Sequence, residues 1–316
     1  MEMRAIGNTG IELSVIGLGG YELQDDPGWA GAREVVESAL EAGINWIDTS
    51  EAYFDGKNEE TIAAALRETG AQVVLSSKVA PSPDGTGFEP DQIRVACAKS
   101  LARLSVDRLD MYLLHWPDGT GISLQDTWTA MRGLVDDGLV RLVGLSNFER
   151  GEIERCLAVG PVDLVQDGLS PIDRLGNRDL FRWCSKRGIG VVTFEPLGNG
   201  MLAGAIRAPE DFARVVGEDY ADWGFWQRLF SPGRFERAQA VAQAMRTMAD
   251  GIGCSLPQLA LAWNIHQSGV TATLAGSRNP THVRENAEAA AIELTDEQLG
   301  ALDALIPLGP TFHQAE

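Results

Sequence analysis

Four side chains have the types needed to hand a proton to an oxygen that is gaining negative charge: Asp48, Tyr53, Lys78 and His115. A phenol ionises near pH ~10, too high for an efficient donor at neutral pH, and a neighbouring ammonium pulls that value down. Lys78 can supply the ammonium, and a buried ammonium needs a counter-charge, for which Asp48 is the obvious group. An imidazole at His115 can donate a hydrogen bond to a substrate oxygen and hold it while Tyr53 protonates it. This is the equipment for reducing a carbonyl. Tyr53 and Lys57 also form a Y-x-x-x-K pair, which would need both residues on one helix face, but Asp55-Gly56 between them is a turn signal. Lys78 is the better partner among the four lysines of the chain.

These residues can meet only if regular elements carry them to one place, and the hydrophobic pattern supplies such elements. After an N-terminal hairpin signal (MRAIG, the turn NTG, IELSVIGLG), eight short runs rich in Val, Ile and Leu alternate with segments of helical period. The runs are SVIGL, INWID, QVVLSSK, LDMYLL, VRLVGLS, VDLVQ, IGVVTF and TATLAG; several of the helical segments close on a glycine. Apolar strands each followed by a helix predict a parallel sheet covered by helices, and eight units predict an α/β fold, a closed (β/α)8 TIM barrel. In that architecture useful residues collect at the carboxyl ends of strands, here Asp48, Lys78, His115, Ser146 with Asn147, Gln166, Phe194 and Ser277.

The stretch between the seventh and eighth strands, about 198–254, is far longer than one connection. It holds an aromatic cluster (Tyr220, Trp223, Phe225, Trp226, Phe230) that either covers the site or packs the loop onto the barrel. LTDEQLGALDALI predicts a C-terminal helix with Thr295 as N-cap and Gln298 completing a capping box. No linker or low-complexity tract marks a boundary, so residues 1–316 are expected to form a single domain.

The runs IDTSEAY, SSKV, LLHWP, GLSNF, VDLVQ, TFEPLGNG and AGSRNPTHVREN resemble, in order and spacing, the aldo-keto reductase superfamily over nearly the whole chain. The resemblance implies a catalytic set of Asp48, Tyr53, Lys78 and His115, with Tyr53 as general acid, and a nicotinamide cofactor lying extended across the carboxyl face as hydride donor. It implies that Ser146, Asn147 and Gln166 hold the carboxamide and that Phe194 stacks on the nicotinamide ring. Leu197, Asn199 and Gly200 would line the pyrophosphate, and Gly276, Ser277, Arg278, His282, Glu285 and Asn286 the adenosine end. The family binds its cofactor without a Rossmann fold, in keeping with GLGG at Gly17–Gly20, where Glu22 and Leu23 break the G-x-G-x-x-G pattern. A guanidinium at Arg278 suits a 2′-phosphate and favours NADPH over NADH; the alternative is that Arg278 pairs with a surface carboxylate.

The chain departs from many relatives at Phe194, where they have Tyr or Trp, and at Glu195, where they have Ser and where a carboxylate would repel the phosphates unless turned away. Phe54 stands where a Gly often follows the catalytic Tyr. Phe54, Tyr21 and Trp116 are expected either to form an aromatic wall of the substrate pocket, favouring an apolar or ring-shaped substrate, or to pack the loops.

With 26 Lys and Arg against 45 Asp and Glu, the 316 residues carry a formal charge of -19, and the isoelectric point is about 4.6. Such a chain repels nucleic acid and anionic lipid, so neither is expected as a partner. No run approaches the ~18 apolar residues of a spanning helix. MEMRAIGNTG lacks the charged and apolar regions of a secretory signal, which makes the cytoplasm the expected compartment. The four cysteines (Cys97, Cys156, Cys184, Cys254) form no C-x-x-C, and the four histidines no H-E-x-x-H or i, i+4 pair, so no metal site is expected. The expected function is NADPH-dependent reduction of an aldehyde or ketone. Two competing readings are an NADP(H)-binding regulatory or sensor protein with little turnover, like channel β subunits, and a metal-free lyase or isomerase using Asp48 and Glu51.

Overall fold

The computed structural model describes residues 1–24, 31–81, 87–172, 178–211 and 233–305. Two short strands, β1 (Met3–Ala5) and β2 (Glu12–Ser14), pair antiparallel, with Met3 opposite Ser14. Eight parallel strands then close on themselves: β3 (Ile16–Gly19), β4 (Trp46–Asp48), β5 (Val74–Val79), β6 (Leu109–Leu114), β7 (Val140–Ser146), β8 (Leu164–Gly168), β9 (Gly190–Phe194) and β10 (Ala272–Ala275), with β10 hydrogen-bonded to β3. This is the predicted (β/α)8 barrel. The hairpin arm expected in IELSVIGLG and the barrel strand expected at SVIGL part at Val15: Ser14 ends the hairpin strand and Ile16 starts the barrel strand.

Helices follow the strands: α1 (Ala32–Glu41), α2 (Lys57–Thr69), α3 (Pro90–Leu104), α4 (Leu124–Asp136), α5 (Arg150–Leu157) and α6 (Arg178–Ser185). Among its described residues, the long connection between β9 and β10 carries α7 (Arg234–Ile252) and α8 (Leu256–Ile265). After β10 come α9 (Pro280–Glu288) and α10 (Asp296–Leu305). The capping box expected before α10 is present, with Gln298 N donating to Thr295 Oγ1 at 3.2 Å and Thr295 N to Gln298 Oε1 at 2.9 Å. Tyr220, Trp223, Phe225, Trp226 and Phe230 lie outside the described residues.

Strand parity divides the core in two. Ile47, Leu75, Tyr112, Val143, Val165 and Val191 point outward into the layer between sheet and helices. Trp46, Met111, Leu113, Leu142, Leu164, Val192, Ala272 and Leu274 point inward and fill the barrel. Gly17 makes room for the Trp46 ring, since a Cβ there would lie 2.1 Å from it. The hairpin closes the amino end of the barrel: Ile6, Ile11 and Leu13 join the interior cluster, and Arg4 Nη1 donates to the carbonyl of Ile265 at 2.7 Å.

Candidate active site

Side chains alternate along a strand, so every residue in step with the interior positions opens into the same mouth. Asp48 is in step with Trp46, Lys78 with Val74, His115 with Leu113, Ser146 with Leu142, Gln166 with Leu164, and Phe194 with Val192. Some strand ends differ from expectation. Gln166 lies within β8, which runs on to Gly168, β5 continues one residue past Lys78, and Ser277 lies two residues beyond β10. Parity keeps Gln166 and Lys78 in the mouth regardless, because the face depends on the register and not on where the ladder stops.

Lys78, 1% exposed, sits at the centre. Its ammonium donates to Asp48 Oδ1, to the Thr49 carbonyl at 2.9 Å and to the Tyr53 hydroxyl at 3.4 Å, so its three protons are all directed. The other Asp48 oxygen accepts from Ser76 Oγ at 2.7 Å and from Gln166 Nε2 at 3.1 Å. Burial works against the Lys78 charge, yet Asp48 and Tyr53 hold its pKa above the ordinary lysine value. The Tyr53 phenol is the correction to the sequence reading. Burial pushes its pKa up and outweighs the pull of Lys78, while the charges of Asp48 and Glu195 also raise it.

His115 Nδ1 lies 3.0 Å from Ser50 Oγ, a hydroxyl with no exposure. The single Ser50 proton has the Lys78 carbonyl as its other acceptor, at a longer 3.4 Å. Donation to Nδ1 is favoured, which leaves the His115 proton on Nε2. Burial, with the Lys78 charge, holds His115 well below its usual pKa, so the ring is neutral.

Tyr53 is presented by a 3-10 turn, Tyr53–Gly56, in which Phe54, Asp55 and Gly56 all have left-handed backbone (φ 53, 54 and 82). Tyr53 and Lys57 therefore do not share a helix, as the Asp-Gly signal predicted. The turn is braced from α3, since a Cβ on Gly56 would lie 2.5 Å from Arg103 Nε. That nitrogen donates to Glu59 Oε2 at 2.6 Å, while Glu59 Oε1 accepts from Ser77 Oγ at 2.6 Å. Asn58 ties the neighbouring turn to the site, donating to the carbonyls of Gly20 and Leu23 at 2.7 and 2.8 Å while accepting from Thr49 Oγ1 at 2.5 Å.

The three aromatic residues predicted for the substrate side all stand at this mouth. Tyr21 meets Tyr53 edge-on with ring centres 5.1 Å apart and Phe54 at 5.2 Å, and Trp116 lies 4.4 Å from His115. Trp116 and Asn147 share a cleft of about 440 Å³ with Pro117, Glu149 and Glu152.

The residues expected to hold a cofactor follow around the rim. Ser146 is opposite Gln166 in the sheet. Asn147 has left-handed backbone (φ 65), and its Nδ2 donates to the His115 carbonyl at 2.9 Å and to Ser146 Oγ at 3.1 Å. Phe194 ends β9 half-buried, and Glu195 and Asn199 are both left-handed (φ 56 and 55). Asn199 Nδ2 donates to Glu195 Oε2 at 3.3 Å, and burial pushes the Glu195 carboxyl up to about 7. Leu197 and Gly200 lie on the same half-buried segment. Gly19 and Gly276 pack backbone to backbone, a Cβ on Gly19 falling 3.3 Å from the Gly276 nitrogen. Ser277 Oγ accepts from Asn279 N at 3.1 Å; on α9, Asn286 is buried while His282 and Glu285 are exposed. Arg278 Nε stands 3.5 Å from Glu22 Oε2, so the alternative weighed for Arg278, pairing with a carboxylate, is the arrangement found.

Ser50, Ser76, Asn58, Glu59, Arg103 and Glu22 were not singled out by sequence reasoning for these contacts. Ser76 alone carried a signal, being two residues before Lys78 on a strand. Among the described residues no group of three or more His, Cys, Asp or Glu could hold a metal ion, and no helix is long and apolar enough to cross a membrane.

The Aldo/keto reductase family model matches residues 15–307. The chain belongs to the aldo/keto reductase family. It is 31% identical over 321 residues to the NADH-specific methylglyoxal reductase of Escherichia coli, covering 94% of this chain and 95% of that protein. Among solved structures it resembles the glycerol dehydrogenase of Gluconobacter oxydans, with a TM-score of 0.83, 26% identity and 98% of each chain covered. It also resembles an aldo/keto reductase from Klebsiella pneumoniae solved with NADP and acetate, with a TM-score of 0.72, 29% identity and 97% and 96% of the two chains covered. The family is one of oxidoreductases acting on carbonyl compounds, and the barrel described above is its fold.

Proposed function

We propose that this aldo/keto reductase reduces an aldehyde or ketone to the alcohol with a nicotinamide cofactor, Tyr53 delivering the proton. The observation that carries the reading is the placement of the Lys78 ammonium between Asp48 and the Tyr53 hydroxyl, next to a neutral imidazole. A bound NADPH or NADH supplies the hydride. As the substrate oxygen takes up negative charge, Tyr53 transfers its proton to it, and the Lys78 ammonium 3.4 Å away stabilises the phenolate that forms. Burial raises the phenol pKa in the resting site and Lys78 opposes that rise, so the ammonium is what makes the phenolate accessible as the proton leaves. His115 donates from Nε2 to the same oxygen and fixes its position. Asp48 keeps Lys78 charged and oriented.

The rim suits a nicotinamide. The Ser146 hydroxyl and the Gln166 amide offer donors and acceptors to a carboxamide, Asn147, with both N–H bonds already directed, offers its amide oxygen, and the Phe194 ring offers an apolar face to a planar ring. One detail departs from expectation: one N–H of Gln166 Nε2 is committed to Asp48, which leaves the second N–H and the carbonyl oxygen for the ligand. Arg278 supports NADPH, whereas its pairing with Glu22 and the NADH-specific relative support NADH. Tyr21, Phe54 and Trp116 support a substrate with an apolar face. The chemistry is tested by Tyr53→Phe with NADPH and NADH against a panel of aldehydes and ketones. Cofactor affinity stays within about twofold while carbonyl turnover falls at least about 100-fold; turnover at the wild-type rate rejects the assignment.

A further inference from the structure

A charged pair at the rim lies outside the proton-delivering set. Glu22 ends the short turn after β3 and Arg278 precedes α9, so the two come from opposite ends of the chain and meet where β3 and β10 close the barrel. The guanidinium Nε is 3.5 Å from Glu22 Oε2, with the side chains 22% and 40% exposed. Packing holds Glu22 there: a Cβ on Gly276 would lie 3.2 Å from Glu22 Cγ and 3.2 Å from the Gly19 carbonyl. The same turn places Tyr21 against Tyr53 on its other side. Any nucleotide phosphate drawn to Arg278 therefore meets the Glu22 carboxylate as well.

A carboxylate and a guanidinium have opposite preferences at the 2′ position of a ribose. The carboxylate accepts a hydrogen bond from a 2′-hydroxyl and repels a 2′-phosphate, and the guanidinium attracts the phosphate. We propose that Glu22 is a cofactor-discriminating residue, which by engaging Arg278 and presenting a carboxylate beside it shifts this enzyme toward NADH and away from NADPH. The proposal rests on the nicotinamide-cofactor reading above. Like charges a few ångströms apart in a half-exposed site, one of them a phosphate, change affinity by about tenfold or more.

Glu22→Gln keeps the stem that packs on Gly276 and removes only the charge. The purified full-length chain is titrated, without turnover, with NADPH, NADH, adenosine 2′,5′-bisphosphate and 5′-AMP, and binding is followed by fluorescence and calorimetry. In Glu22→Gln the affinities for NADPH and the bisphosphate rise about tenfold or more, while those for NADH and 5′-AMP stay level or weaken. Arg278→Gln lowers the affinity for NADPH and the bisphosphate. If wild-type protein binds both dinucleotides and Glu22→Gln moves the NADPH to NADH ratio by less than about twofold, the proposal is overturned while the cofactor reading stands. If wild-type protein binds neither dinucleotide, the cofactor reading falls and the proposal with it.

Discussion

Replacing Lys78 by Met would remove the ammonium on which the site is centred and leave a stem of similar length in the barrel. The Asp48 carboxylate, 3% exposed, would then stay buried with only Ser76 and Gln166 as donors. Breaking a buried pair from one side costs about 3–5 kcal/mol, because the remaining charge is left uncompensated. Asp48→Asn strands the ammonium in the same way, although the Thr49 carbonyl still accepts from it. The double variant Asp48→Asn/Lys78→Met removes both charges, so its loss is smaller than the sum of the single losses by about 2 kcal/mol or more. Urea unfolding monitored by far-UV circular dichroism and tryptophan fluorescence, with midpoints compared at matched slopes, gives the three values. Single losses under about 1 kcal/mol, or additivity within about 0.5 kcal/mol, would refute the view that each charge is there to satisfy the other.

Three other outcomes are expected. Asp167 is in step with outward-facing Val165, is 7% exposed, accepts from Gly168 N at 2.8 Å, and burial pushes it up to about 7. The folded state therefore binds this proton more tightly than the unfolded one between about pH 4 and 7, and stability falls as pH rises through that window. Asp167→Asn removes the penalty, raising the unfolding free energy measured in urea at pH 8 by up to about 4 kcal/mol and leaving it nearly unchanged at pH 4; equal effects at both values would count against a buried acid. The ring proton resonances of His115 stay flat between about pH 5 and 8, and an inflection above about pH 6 would contradict a neutral hydrogen-bond donor. Gly56→Ala, which forces a side chain into left-handed backbone (φ 82) against Arg103, destabilises by about 1–3 kcal/mol and lowers kcat by displacing Tyr53; unchanged unfolding midpoints would show that the turn yields.

The barrel was legible because a parallel strand covered on both faces is written as a continuous apolar run, as in LDMYLL and VRLVGLS, and because glycines such as Gly70 and Gly253 take the left-handed conformation that ends a helix. Asp48, Lys78 and His115 were legible as polar residues closing such runs. The contacts that tune them were not, because they join residues whose separation carries no periodicity: Ser50 with His115, Glu59 with Arg103, Glu22 with Arg278. The direction of the Tyr53 pKa shift was not legible for a related reason. The types of two neighbouring groups give the sign of their interaction, whereas desolvation depends on how the whole mouth packs around the phenol. Val15, expected inside the strand SVIGL, is the break between hairpin and barrel, a break that one continuous apolar run serving two sheets does not mark.

The hairpin at the amino end has a consequence for traffic. With Ile6, Ile11 and Leu13 seated in the barrel and Asn8 N bonded to the Gly188 carbonyl at 3.1 Å, the vessel has a floor. A ligand that reaches Lys78 comes from the opposite, carboxyl-end mouth, and if two ligands were to stack there, the deeper one would arrive first and leave last. A queue of that kind turns departure of the deeper molecule into a step that every turnover of both must wait for.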